Sequence, residues 1–110
     1  MNIETNSWTY EEFLAFILLY AAEMNQDLSP NEMKFIEEKT GVEDIDRIRQ
    51  HLDKISDTES IETIDHYKKV YLTTTESTLK AKRDLEALLK TPGVHSQFEK
   101  AAVHMIEKLI

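Results

Sequence analysis

The chain has 110 residues, a formal net charge of -8 and no cysteine. Its length suits one domain, residues 1–110, that buries roughly two thirds of its unfolded surface and folds without staples. The missing cysteines exclude a disulfide framework, thiol catalysis and cysteine-ligated zinc, and they fit a reducing, cytoplasmic compartment.

Ahead of the first apolar segment, MNIETNSWTYEE carries no lysine or arginine and so lacks the positive region of a secretory signal. The most apolar run, FLAFILLYAA, spans residues 13–22 and has about half the length a membrane-crossing helix needs. Strand-like alternation is absent, whereas helix-start signals recur. Thr9 with Glu12, Ser29 with Glu32, Ser56 with Glu59 and Ser96 with Glu99 all have the capping-box spacing. In such a box the hydroxyl accepts from first-turn amides and the carboxylate reaches back to the cap's own N–H.

The first predicted helix covers residues 10–24 and is apolar on nearly every side, as a central helix would be. Trp8, Tyr10, Phe13, Phe16 and Tyr20 crowd it; they read either as core or, for Trp8 and Tyr10, as a strip that docks a partner or a second copy. The second helix starts at Pro30, suited to a first helical position, and ends at Gly41, with Met33, Phe35 and Ile36 inward. A third covers 43–54 with Ile45, Ile48, Leu52 and Ile55 at helical spacing. A fourth covers 58–72 with Ile61, Ile64, Tyr67 and Tyr71 on one stripe, and TTTEST then predicts a break near residues 73–75. A fifth covers 76–90 with Leu79, Leu85, Leu88 and Leu89, ending before Thr91-Pro92-Gly93. The sixth, over 97–109, places Phe98, Ala102, Met105 and Leu109 inward. Six short amphipathic helices with short connections define an all-α, single-domain bundle.

Charge is uneven along the chain: residues 1–60 hold 14 acids and 5 bases, whereas residues 61–110 hold 7 acids and 8 bases. An acidic chain is repelled by phosphate backbones and anionic lipid, so nucleic acid and membrane surfaces are disfavoured partners. A basic protein surface or a cation remains. The densest oxygen-bearing stretch is YAAEMNQDLSPNEMKFI, where Glu23, Asn25, Asp27 and Ser29 alternate and Glu32 follows. A twelve-residue calcium loop starting at Glu23 would need glycine at Leu28 and a bidentate glutamate at Lys34, so that register fails. Glu23, Asn25, Asp27 and Glu32 remain the candidate metal ligands, since hard cations take oxygen donors. Ser29 and Glu32 also belong to a capping box, which competes for Glu32.

His51, His66, His95 and His104 are scattered and form no paired-histidine zinc motif, so they read as solvated helix residues. Ser77-Thr-Leu-Lys80 has a serine-x-x-lysine spacing without its companion motifs. No glycine-rich phosphate loop exists, and no catalytic constellation can be assembled, so the chain reads as a non-enzyme.

The aromatic, leucine-rich helix LAFILLYAA, the short acidic turn, and Leu28-Ser29-x-x-Glu32 opening a helix that contains Ile36 together resemble the TerB-like tellurite-resistance family. The resemblance is sharpest over residues 8–41. Met24, Asn25 and Gln26 stand where the family has Ala-Asp-Gly, so an amide replaces its main carboxylate, while Leu28, Ser29 and Glu32 match. What the resemblance implies is a small all-helical protein of the stress response, with an acidic cluster that holds a metal ion. The expected function is therefore cytoplasmic and non-catalytic: protein binding, with weak divalent-cation binding through Glu23, Asn25, Asp27 and Glu32. The alternative is a pure protein–protein interaction module or homodimer with no ligand, using the acidic half or the aromatic first helix.

Overall fold

The computed structural model describes residues 8–24, 28–93 and 95–110, and Asn25, Gln26, Asp27 and Val94 lie outside them. Six helices follow in order: α1 (Tyr10–Glu23), α2 (Pro30–Thr40), α3 (Ile45–Lys54), α4 (Asp57–Tyr71), α5 (Thr75–Leu88) and α6 (Gln97–Leu109). The architecture is an all-α bundle, with no strand among the described residues.

Helix α1 is the hub. Every residue from 13 to 22 is buried, and α1 packs against each of the other five helices. A helix with no polar face cannot leave any side to water, so its neighbours must surround it. Trp8 is also buried, as are Phe13, Phe16 and Tyr20, whereas Tyr10 is half-buried. The Trp8 ring lies 5.1 Å from Phe16 and stacks at 5.6 Å on Tyr67, which in turn stacks at 5.9 Å on Tyr71. Two hydrogen bonds fix the chain entering α1: the Trp8 N–H donates to the Tyr67 hydroxyl at 3.1 Å, and the Tyr71 hydroxyl donates to the Trp8 carbonyl at 2.7 Å. Thus α4 holds the residue before α1 by both backbone groups, which would otherwise be left unpaired in an apolar setting.

The helix ends follow their caps. Thr9 with Glu12 and Ser56 with Glu59 form complete boxes at α1 and α4. Within TTTEST, Thr74 caps α5 and pairs reciprocally with Ser77, so the predicted break becomes a helix start. The Ser77 hydroxyl is thereby used up in a cap, donating to the Thr74 carbonyl at 3.0 Å. Gly41 ends α2 with φ 68, a left-handed conformation that a side chain would strain.

Three inward stripes differ from those expected. In α6 the buried residues are Glu99, Ala102, Val103 and Ile106, and Phe98 is 76% exposed. In α2 they are Glu32, Ile36 and Thr40, with Met33 and Phe35 only half-buried. In α5 Leu79 faces outward and Asp84 is buried, paired with Lys39 of α2 at 3.5 Å. In each case a carboxylate occupies a position on the buried face. A stripe drawn through apolar residues alone is rotated off the true one.

The Trp8 clamp predicts an asymmetry between two conservative substitutions. Tyr67→Phe leaves a buried N–H without an acceptor and should cost about 1–3 kcal/mol, whereas Tyr71→Phe, at a part-buried carbonyl that retains a second lone pair, should cost about 1 kcal/mol or less. Equilibrium urea unfolding reads both, and equal or negligible losses would contradict the clamp.

Candidate functional site: a buried carboxylate–imidazole cluster

Of the four capping boxes, two close on the surface and two do not. At Ser29 and Ser96 the hydroxyl still accepts the N–H three residues on, Glu32 at 3.1 Å and Glu99 at 3.1 Å. The glutamate side chains, however, do not return to the cap's amide. Both turn into the protein, where Glu32 is 1% and Glu99 is 0% exposed, and they meet His95.

His95 stands one residue before the cap of α6 and is half-buried against both carboxylates, with 8% of its side chain exposed. Its Nδ1 lies 2.8 Å from Glu99 Oε2 and 3.6 Å from Glu32 Oε2. Its Nε2 lies 2.9 Å from the Thr91 carbonyl, just past α5. A carbonyl can only accept, so Nε2 carries the hydrogen and donates it, which turns Nδ1 toward the two carboxyl groups. Thr91 is held in turn by its hydroxyl donating to the Leu88 carbonyl at 2.9 Å. Asn31, next to Glu32, donates from Nδ2 to the Pro92 carbonyl at 3.1 Å and ties the first turn of α2 to the same connection.

The carboxyl groups are incompletely matched. Glu32 Oε1 receives the Ser29 hydroxyl at 3.0 Å, but Glu32 Oε2 and Glu99 Oε1 are enclosed and, among the described residues, receive no N–H or hydroxyl donor, so that the two carboxyls can satisfy each other only when one is protonated. Only a proton carried within the cluster or a cation can compensate them. Burial, and then the neighbouring Glu32 carboxyl, push Glu99 up to about 7, against the lowering effect of His95. Burial alone would lower the pKa of His95, but the Thr91 carbonyl, Glu99 and Glu32 outweigh it and raise it. Both groups therefore hold protons more firmly in the folded chain. The first turns of α2 and α6, with their inward N–H groups, are where negative charge is best tolerated.

Of the two described residues among the four proposed as ligands from the sequence, Glu32 joins a cluster of metal-binding groups and Glu23 does not. Glu23 faces α3 instead, its Oε1 2.6 Å from Arg49 Nε. Burial raises its pKa, and Asp53 adds to that while Arg49 opposes it. Asn25 and Asp27 lie outside the described residues. The reading of the histidines as solvated fails for two: His95 is in the cluster, and His51 is buried, edge-on to Trp8 at 5.3 Å. The sequence reading missed His95 and Glu99 because it looked for ligands near Glu32 along the chain, and these two arrive from its far end.

A second group, Glu86, His104 and Glu107, has its ligand atoms within 4.8 Å of one another between α5 and α6. His104 is exposed. Water can satisfy such groups, so they do not demand an ion.

No protein-family model matches the chain, and neither the curated proteins nor the solved structures contain a match. The fold and site define a small all-α bundle with a Glu–His–Glu cluster, its two carboxylates enclosed, joining the first turns of two helices.

The raised pKa values set a pH dependence. Folding stability contributed by protonated Glu99 is complete below its ordinary value of 4.5 and is lost as pH rises through about 7; the raised His95 acts in the same direction. Glu99→Gln removes a titrating group while keeping hydrogen-bonding capacity. In the presence of a chelator, the wild-type chain should lose about 1–3 kcal/mol relative to E99Q between about pH 5 and about pH 8. A wild-type minus E99Q difference that stays flat with pH would remove Glu99 as the titrating group.

Proposed function

We propose that this is a small, non-catalytic helical protein that acts by binding a divalent cation at Glu32, His95 and Glu99. The observation that carries the reading is the pair of enclosed carboxylate oxygens, Glu32 Oε2 and Glu99 Oε1, converging with an oriented imidazole and lacking a donor. Two carboxylates and a neutral imidazole present a charge that one dication cancels, which a single proton does not. Burial of the two carboxylates, 1% and 0% exposed, favours binding of a small ion over turnover of a larger substrate. The resemblance of residues 8–41 to TerB-like proteins supports a cytoplasmic stress setting of the tellurite-resistance type, with Glu32 as the shared ligand. The same resemblance favours a protein partner, for which the acidic N-terminal half is the natural surface, since the α1 aromatics other than half-buried Tyr10 are buried.

A second reading, a pure interaction module or homodimer, rests on Phe98, a large apolar side chain 76% exposed beside the cluster. Light scattering after size exclusion tests its self-association form: a monomer removes it.

A ligand that binds only the folded chain raises its melting temperature. Chelator-treated protein titrated separately with calcium, magnesium, manganese and zinc should melt about 4–8 °C higher with at least one ion at saturating concentration, and Glu32→Gln should abolish that gain. Absence of a shift with every ion at millimolar concentration would sink the proposal.

A further inference from the structure

Resting on that reading, we propose that the cation is a four-coordinate transition-metal ion of the zinc type, held by Glu32, Glu99 and His95 Nδ1 with one position left for a further ligand. Three features point away from calcium and magnesium.

The first is the donor set. Calcium takes six to eight oxygens and magnesium a near-octahedral shell that keeps several waters. Among the described acidic and histidine side chains, the oxygens gathered here come from two carboxylates; one, Glu32 Oε1, is engaged by the Ser29 hydroxyl, and the nearby Thr91 carbonyl is occupied by His95. Enclosed atoms leave little access for a retained water shell. Two carboxylates and one imidazole instead supply three protein ligands, each of a type that zinc accepts, and leave the fourth tetrahedral position open.

The second is the imidazole. A histidine that ligates a metal donates its other N–H to a carbonyl or carboxylate, which fixes tautomer and ring orientation. The Nε2–H of His95 makes that bond to Thr91 at 2.9 Å, and Nδ1 is thereby aimed between the carboxyl groups. Nitrogen ligation favours zinc, cobalt and their neighbours over hard cations.

The third is spacing. Tetrahedral ligands at about 2.0–2.2 Å from an ion stand roughly 3.3–3.6 Å apart. The Nδ1 to carboxylate distances of 2.8 and 3.6 Å bracket that separation, so small side-chain shifts complete the site. The ion would replace the 2.8 Å contact between His95 Nδ1 and Glu99 Oε2.

The test uses the whole chain stripped of metal with a chelator. Equilibrium dialysis with metal analysis should give one equivalent of Zn2+ or Co2+ bound at least about 100-fold more tightly than Ca2+ or Mg2+. Bound Co2+ should show the intense visible absorption of four- or five-coordination. His95→Gln should weaken zinc binding about 10–100-fold or more. His104→Gln should leave it unchanged, which separates this cluster from Glu86–His104–Glu107. Far-ultraviolet circular dichroism confirms that each variant is folded, and the cobalt spectrum of the unmutated chain needs no variant. Calcium or magnesium binding as tightly as zinc, or a weak octahedral cobalt spectrum, would overturn the assignment while leaving cation binding at the cluster standing, whereas loss of zinc through H104Q rather than H95Q would overturn the assignment and the proposed site together. Failure of every ion to bind would overturn both.

Discussion

Everything in this fold answers to α1, a helix with no side that water can wet. Ten consecutive buried residues, from 13 to 22, oblige five other helices to cover one cylinder. The covering helices are short and mostly polar outside, so each commits a narrow face to the hub. Their stability comes from that contact more than from intrinsic propensity, which is too weak to sustain helices of this length alone. Where the covering helices approach one another at their ends, the hub no longer supplies apolar surface. Polar side chains can then be enclosed.

The cluster forms at such a junction. The first turns of α2 and α6 and the connection after α5 meet there, and each supplies one element: Glu32, Glu99, and the Thr91 carbonyl that orients His95. Enclosing two carboxylates costs free energy unless their charge is matched. The chain meets the cost partly with caps, since Ser29 and Ser96 retain their N–H bonds and free the glutamates to turn inward. The remainder is met by protons held firmly at Glu99 and His95. A site that must hold a proton to stay matched is also one from which a dication can displace it.

Fold and site were legible in the sequence to different degrees. The helices were readable because serine and threonine caps, Pro30 and Gly41 act locally, and local chemistry survives whatever the tertiary arrangement. The expected spans differ from the observed ones mainly by a residue or two at ends, as at α3, which begins at Ile45 after an Asp44 cap. Glu32 was readable as a candidate through its oxygen-rich surroundings, but its companions in the cluster were not. In α6 the stripe of Glu99, Ala102, Val103 and Ile106 is as regular as the one through Phe98, and it gathers two β-branched or aliphatic residues that the other leaves outside. Admitting a glutamate to a core face would have found it. No comparable signal exists in α2: Glu59, in phase with Thr63 and Tyr67 of α4, has the same local pattern as Glu32 yet remains on the surface. Whether a capping glutamate turns in or out is decided by which helix end covers it, and one-dimensional spacing does not contain that information.

The clamp on Trp8 has an optical consequence. It is the sole tryptophan, enclosed between Phe16, Tyr67 and the edge of His51. Its emission therefore reports on one event, the docking of α4 against the entry to α1, with the blue-shifted spectrum of an indole shielded from water. The cluster at the α2–α6 junction contains neither tryptophan nor tyrosine, so changes there reach the indole only if they loosen the hub. The protein thus carries a built-in fluorophore that separates unfolding of the bundle from events confined to its charged site.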